Sequence, residues 1–458
     1  MKRRPIAAVL LLCFAASVHA EGNTIPLPAE ELDTLLAAYA LIKTRYVAAA
    51  DDKKLLDAAI DGMLASLDPH SAYLDKEALA ELERERSGEY IGIGIETEVD
   101  EGRIQVVSVR EHTPADLAGI EAGDVIVAVD GAPIAGMRAA ELAQRVRGVP
   151  GSTLEIGYRR AGSGPLRSAT LTRATLKAQT VTARTAAPGV AWLRVSEFEG
   201  KTSAELAAAL KTLDIQGAPR GIVLDLRNDP GGLVSAAVGV AGAFLPPESI
   251  LFSARGRMPA ANATVTVDPR YYRGRDEADV LAGLPSWTRT VPLAVLVNGA
   301  SASSAELVAG ALQDHGRATV IGTRTFGKGS IQTVFPLASG DAVKMTVARY
   351  FTPNGKEIQA QGILPDLVVA SGGKRGGSQN LMLREEDLAH HLQATQAALP
   401  ALQPAAARAP VESTRIFGTA DDKALQAAVA LLAPDHARTG GAAGVLRRIT
   451  QRLGLASL

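Results

Sequence analysis

The chain has 458 residues, 47% of them hydrophobic and 21% charged, and a formal net charge of −1. That length allows two to four domains, and the composition excludes a globally disordered chain. The near-neutral balance gives no basic surface for nucleic acid, and a single cysteine, Cys13, excludes a disulfide framework.

Residues 1–20 read as a secretory leader. Lys2-Arg3-Arg4 is a positive start, 6–17 an apolar stretch, and Val18-His19-Ala20 a small-x-small cleavage site. The apolar run is short for a membrane span. Cleavage removes Cys13, and export to a bacterial periplasm or cell envelope is expected. Residues 21–86 are expected to form a helical region, because 32–67 carry apolar positions at helical spacing with a break near 49–52. The paired helices are expected to serve dimerisation, giving a homo-oligomer. Asp68-Pro69-His70 reads as a turn.

From residue 87 the pattern changes to short strands, at 103–109, 153–158 and 168–173, with a helix at 137–146. Gly92-Ile93-Gly94-Ile95 leads the first of them. This stretch, to about residue 175, resembles a PDZ domain. In such a domain a glycine-rich loop offers backbone N–H groups to a peptide's terminal carboxylate, and the adjoining strand adds the peptide to the sheet. The resemblance implies a site made by Gly92, Ile93, Gly94 and Ile95, with Leu142 facing it from the helix. Arg147 is a further candidate for carboxylate or interdomain contact.

Strand–helix alternation then runs from 176 to 370 and predicts a layered α/β core. A strand at 190–195 begins it. A second, 221–227, is followed by Asn228-Asp229-Pro230-Gly231-Gly232 and a helix at 234–244. The polar stretch 255–282 reads as an exposed excursion in which acids alternate with arginines. A third apolar run, 293–297, ends at Asn298-Gly299, and a Ser-rich turn leads into an amphipathic helix at 303–315. A serine at such a junction is placed to be a nucleophile, since the first N–H groups of the helix have no internal partner and can bind an oxyanion. His315 lies twelve residues along the same helix, about 18 Å away, and cannot take the serine's proton. Lys328 is the better base: it sits between Gly327 and Gly329, near Phe326, Ile331 and Val334, where desolvation would lower its pKa.

These residues carry a second resemblance. Ser-Ala-Ser-Ser-Ala-Glu, then Phe-Gly-Lys-Gly-Ser-Ile-Gln, is similar to the carboxy-terminal processing peptidases (tail-specific proteases), which use a Ser–Lys dyad assisted by a glutamine. In that family the nucleophile precedes the helix glutamate by three residues and the lysine by twenty-five. Both counts give Ser303, from Glu306 and from Lys328. The family usually reads Ser-Ala-Ser-Ala-Ser-Glu, so Ser304 leaves a neighbouring hydroxyl here and spacing alone separates the two. The resemblance implies that Gln332 orients the lysine amine. It also implies that backbone N–H groups of Gly231 or Gly232, with that of Ser304, form the oxyanion hole. Asp229 stands where the family more often has Asn. The implied fold is a crotonase-like α/β serine protease core with an inserted PDZ domain and helical N- and C-terminal regions.

Two other readings compete. Gly322 to Lys328 fits the start of a phosphate-binding loop, but Gly329 and a strand pattern follow where that motif needs Ser or Thr and a helix. A PDZ scaffold on a silent protease fold is the other, and the presence of Ser303, Lys328 and Gln332 together argues against it. Residues 371–458 read as a Gly/Ser linker and Ala-rich helices without catalytic content. No cofactor or metal is expected, since no His/Cys/carboxylate ligand cluster appears in the sequence. The expected partners are protein or peptide substrates with free C-termini and an adaptor or activator protein, with no nucleic acid. The sequence thus reads as an exported serine endopeptidase acting on C-terminal tails, its PDZ domain capturing substrate or gating the site.

Overall fold

The computed structural model describes residues 28–86, 89–100, 103–109, 113–121, 124–134, 145–146, 148–160, 164–177, 179–274, 277–369, 384–396, 417–419 and 421–433. The leader with Cys13, Leu142 with most of the helix expected around it, Arg147, and the linker at 371–379 lie outside the described residues.

The chain begins with helices α1 (Ala29–Arg45) and α2 (Asp52–Ala65). Asp51 caps α2 by accepting the Lys54 N–H at 2.9 Å. No residue of α1 is buried, and Leu35, Leu36, Leu41 and Ile42 are exposed. Asp68 then makes the expected turn by accepting the N–H groups of His70 and Ser71. Strand β1 (Ala72–Leu74) and helix α3 (Lys76–Arg86) follow.

A β-rich module comes next. β2 (Glu89–Gly92) pairs with β9 (Ala174–Lys177). A six-stranded sheet runs in the order β3 (Ile95–Asp100), β4 (Arg103–Val109), β5 (Val125–Val129), β7 (Thr153–Arg159), β8 (Leu166–Thr172), with the short β6 (Ala132–Pro133) on β5. Its core includes Ile93, Ile104, Val106, Ile126, Leu154, Ile156 and Leu171. Alternation sets the face: Leu154, Ile156 and Tyr158 of β7 are buried, while Thr153, Glu155 and Arg159 are exposed.

The larger core is built on a six-stranded sheet, in the order β10 (Val181–Ala187), β11 (Val190–Val195), β12 (Gly221–Asp225), β15 (Leu293–Val297), β16 (Thr319–Gly322), β19 (Leu367–Val368). From β11 onward every pairing is parallel. Parallel neighbours need crossovers; the helices Thr202–Gln216, Val234–Gly242 and Ser304–Asp314 supply the first three, and two strands, Ser330–Pro336 and Ala342–Phe351, lie in the fourth. Both faces of the sheet are covered, so its strands read as continuous apolar runs. Leu193, Leu224, Val295 and Val320 pack with those crossover helices. Trp192, Val223, Leu296 and Ile321 pack on the other face, against Phe417 and the C-terminal helix Lys423–Leu431. Arg227, 1% exposed, ties that helix down by donating to Asp422 at 2.9 and 2.6 Å.

A second sheet holds β1, β18 (Ala342–Phe351), β13 (Ile250–Gly256) and β14 (Ala263–Thr266), with β17 (Ser330–Pro336) also on β18. The stretch 255–282 is therefore more than an exposed excursion. It carries β14, and Val265, Val267 and Leu281 enter the core. A short strand of single valines alternating with threonines is concealed between the charged stretches on either side.

Candidate active site

The nucleophile candidate sits where β15 ends. Asn298 turns the chain, its Oδ1 accepting the N–H groups of Asn228 and Ala300 at 3.0 and 3.1 Å. Ser301 Oγ donates to the Leu226 carbonyl at 2.6 Å, and the Ala302 N–H to that of Asp229 at 2.9 Å. The 226–232 and 298–304 loops are thus laced together. Between them Ser303 adopts φ 52° and ψ −115° at the start of its helix. A side chain in so sparsely populated a conformation costs about 1–3 kcal/mol, held in place by the surrounding bonds. A strained serine at a strand-to-helix turn is the geometry of a nucleophile elbow.

Ser304 differs from it. Its side chain is buried, and its hydroxyl donates to the Gly232 carbonyl at 2.8 Å. Ser303 is half-buried, and its own N–H is held by the Glu306 carboxylate at 2.8 Å.

Gly231 and Gly232 stand beside this turn. A Cβ on Gly231 would lie 2.8 Å from the Ser304 nitrogen, and φ is +95° there and +141° at Gly232, so both positions require glycine. The Gly231 N–H already donates to Asp229 Oδ1 at 2.8 Å. No acceptor for the N–H of Gly232 or Ser304 is found among the described residues, so these two stand free to receive an oxyanion. The Asp229 carboxyl is fully buried, and burial pushes its pKa well above the usual carboxylate range. Burial thus favours the neutral form of this carboxyl, the form closest in shape and charge to Asn.

Lys328 is carried by the loop between β16 and β17. Gly329 must be glycine, because a Cβ there would come within 2.1 Å of the Gln359 nitrogen. Burial, then the ammonium of Lys344, hold the Lys328 amine below the usual lysine range, against the opposing pull of Glu385 and Glu306. No hydrogen bond or ion pair of this amine, with Ser303 or any other residue, is found among the described residues.

Glu306, which the sequence offered only as a spacing marker, joins the two loops. It is fully buried, and its Oε2 accepts the N–H of Ser303 at 2.8 Å and that of Lys328 at 2.9 Å. Oε1 accepts the Gly327 N–H at 2.8 Å and the Thr325 hydroxyl. Burial pushes its pKa up to about 7 against these four donors.

Gln332 is not on the lysine. Its Nε2 donates to Ser330 Oγ at 2.9 Å and Thr346 Oγ1 at 3.2 Å. A β-bulge between Ile331 and Gln332 sets Gln332 opposite Thr346, which directs its amide across the strand pair. The implied orienting contact is therefore not made in this structure.

In the β-rich module, Gly94 has φ +87° and a Cβ there would clash with Thr113, so the loop between Gly92 and Ile95 depends on a glycine. Ile93 is 1% exposed and belongs to the module's core, so it does not line a surface pocket as expected. Ile95 is half-buried and opens β3, which pairs only with β4 among the described strands and presents its other edge for an added strand.

Residues 189–369 match the profile of peptidase family S41, 91–171 that of a PDZ domain, and 14–78 that of the activating protease CtpB N-terminal domain. The fold and site thus define a serine-type peptidase carrying a PDZ domain. A carboxy-terminal-processing protease of Bartonella bacilliformis is 37% identical over 399 residues, covering 85% of this chain and 86% of that protein. The carboxy-terminal processing protease CtpA of Bacillus subtilis is 33% identical over 338 residues, 74% of this chain and 68% of that protein. Among solved structures, the photosystem II D1 C-terminal processing protease is similar at 30% identity and a TM-score of 0.45, over 75% of this chain and 94% of that one. The chain belongs to the carboxy-terminal processing proteases of peptidase family S41.

Proposed function

We propose that the protein is an exported endopeptidase that cuts the C-terminal tails of protein substrates with a Ser303–Lys328 dyad. The observation that carries this reading is the single Glu306 oxygen shared by the N–H groups of Ser303 and Lys328, which holds nucleophile and base loops side by side. Neutral Lys328 takes the Ser303 hydroxyl proton as the oxygen attacks the scissile carbonyl. The N–H groups of Gly232 and Ser304 stabilise the oxyanion; Gly231 joins them only by releasing Asp229. The amine then protonates the leaving nitrogen, and water hydrolyses the acyl-enzyme. Gln332 orients the lysine once substrate draws its amide away from Thr346.

The core is crotonase-like in this reading, and the domains run 21–86, 87–175, 176–370 and 371–458 after the leader. The PDZ domain captures the free C-terminus on the open edge of β3 and delivers it or gates the site. The exposed apolar residues of α1 support a homo-oligomer, and an adaptor or activator acts through the N-terminal region.

The test is mass spectrometry of a loosely folded protein with an apolar C-terminal tail, incubated with the mature chain, Ser303→Ala or Lys328→Ala. Cleavage by the parent alone, lost when the tail is amidated, is expected. Cleavage surviving Ser303→Ala would sink the assignment.

A further inference from the structure

Segment 384–396 was expected to be silent, yet it lies on the core with hydrogen bonds along its length. The Glu385 N–H donates to the Phe326 carbonyl at 3.1 Å. Its carboxylate is fully buried, accepts Gln359 Nε2 at 2.9 Å, and meets His70 Nε2 at 3.0 and 2.8 Å. Gln359 uses its other end, Oε1, to accept the Gly329 N–H at 3.0 Å. Further along, Glu357 Oε2 accepts the N–H groups of Thr395 and Gln396 at 2.7 and 3.0 Å. The residues held through Glu385, Phe326 and Gly329, bracket Lys328. An acidic turn exposed to water would explain none of this, because a buried carboxylate is costly unless its partners are in place.

We propose that Glu385 is a positioning residue for Lys328, fixing the 326–329 loop through its own N–H and through Gln359, and fixed in turn by His70 of the N-terminal region. The proposal rests on the reading of Lys328 as the base. Two segments distant in sequence must then both be seated before the lysine stands in its working place.

The charge of Glu385 acts on the same amine. Lys328 faces Lys344 from β18, Glu306 from the nucleophile's helix and Glu385 from this segment, and the two carboxylates favour its protonated form. His70 meets Glu385 itself. The flanking Glu386 pairs instead with Arg324 at 3.3 Å and Arg384 at 3.7 Å.

The test compares Glu385→Gln, which removes the charge and keeps an acceptor for Gln359, with Glu385→Ala and His70→Ala in the mature chain. A dyad base must be neutral, so kcat/KM rises with pH through the Lys328 pKa. Removing the carboxylate eases deprotonation, and in Glu385→Gln that limb should move to lower pH by roughly half a unit or more. Glu385→Ala should also lower kcat about 10- to 100-fold with KM little changed, and His70→Ala should lower kcat in the same sense. A readout independent of cleavage is the ¹³C titration of the Lys328 Cε resonance, identified by its loss in Lys328→Arg. Its midpoint should fall in Glu385→Gln even if the peptidase reading fails and no substrate is cut. An unchanged limb and midpoint in both Glu385 variants would overturn the proposal. So would an Ala variant of lowered activity beside a Gln variant with the parent's pH profile and midpoint, since that pattern is a structural loss alone.

Discussion

Asp229→Asn exchanges one atom beside the oxyanion site, and the structure sets the sign of its effect. Oδ1, which accepts the Gly231 N–H at 2.8 Å, is retained. The exchanged atom, Oδ2, is buried and makes no hydrogen bond among the described residues. Burial raises the pKa of this carboxyl well above its ordinary range; the Gly231 N–H and then Arg194 oppose that, while Glu197 and Asp225 add to it. Between the unfolded pKa, about 3.9, and the raised folded value, the folded chain holds one proton more than the unfolded chain. The parent's contribution is thus fully present below the unfolded value and is lost as pH rises through the folded one, at about 1.4 kcal/mol per pH unit. Asn has no proton to hold and lacks that slope. Urea midpoints measured from about pH 4 to about pH 8 in a Ser303→Ala background, where self-cleavage cannot intervene, give the difference. Glu306, raised to about 7, titrates in both chains and its slope cancels. The variant should gain on the parent steadily with pH, then hold a constant lead above the folded pKa. A gap that does not change with pH would show that Asp229 ionises normally and refute the argument. The variant should also keep its cleavage activity at alkaline pH, where an ionised Asp229 would oppose the developing oxyanion.

Three further outcomes follow from the same geometry. Ser304→Ala should retain cleavage while losing about 1–2 kcal/mol of stability, because the Gly232 carbonyl loses its donor; inactive Ser304→Ala beside active Ser303→Ala would reverse the assignment. Lys344→Gln removes a like charge that lowers the Lys328 pKa, so the acid limb of kcat/KM should move to higher pH, opposite to Glu385→Gln. A limb that stays in place in pH–rate measurements would deny the coupling. Asp422→Ala takes two charge-assisted bonds from the buried Arg227 and uncaps the C-terminal helix, which should cost about 3–5 kcal/mol in denaturant titration.

How much of this was legible in the sequence depended on how local the cause was. The strand Val190–Val195 was read to the residue, and the nucleophile's helix to within one at each end, because a buried parallel strand is an unbroken apolar run and the helix follows a Ser-rich turn with apolar residues at helical spacing. The spacing from Ser303 to Glu306 and Lys328 carried the pairing of the two loops without revealing that Glu306 makes it. The contact implied for Gln332 is not made in this structure for a reason no spacing shows: a bulge one residue earlier in β17 changes which residue it faces. Glu385 was invisible. It lies beyond a Gly/Ser linker in Arg384-Glu-Glu-Asp387, a run that reads as solvated charge, and only the folded chain brings it to His70, 315 positions away.

The N-terminal turn joins these two cases. Asp68 Oδ1 accepts the His70 and Ser71 N–H groups and also the Thr346 hydroxyl, at 3.1 Å. Thr346 Oγ1 is the atom that accepts from Gln332, while the next residues of the turn supply His70 to Glu385. One short stretch, Asp68 to Ser71, therefore reaches Gln332 through β18 and Lys328 through the post-core segment. For Gln332 to turn toward the lysine it must give up Thr346, which Asp68 holds in place. For Lys328 to keep its place, Glu385 must keep His70. The two requirements therefore meet in one turn, and a substitution at Asp68 should disturb Gln332 while one at His70 disturbs Glu385.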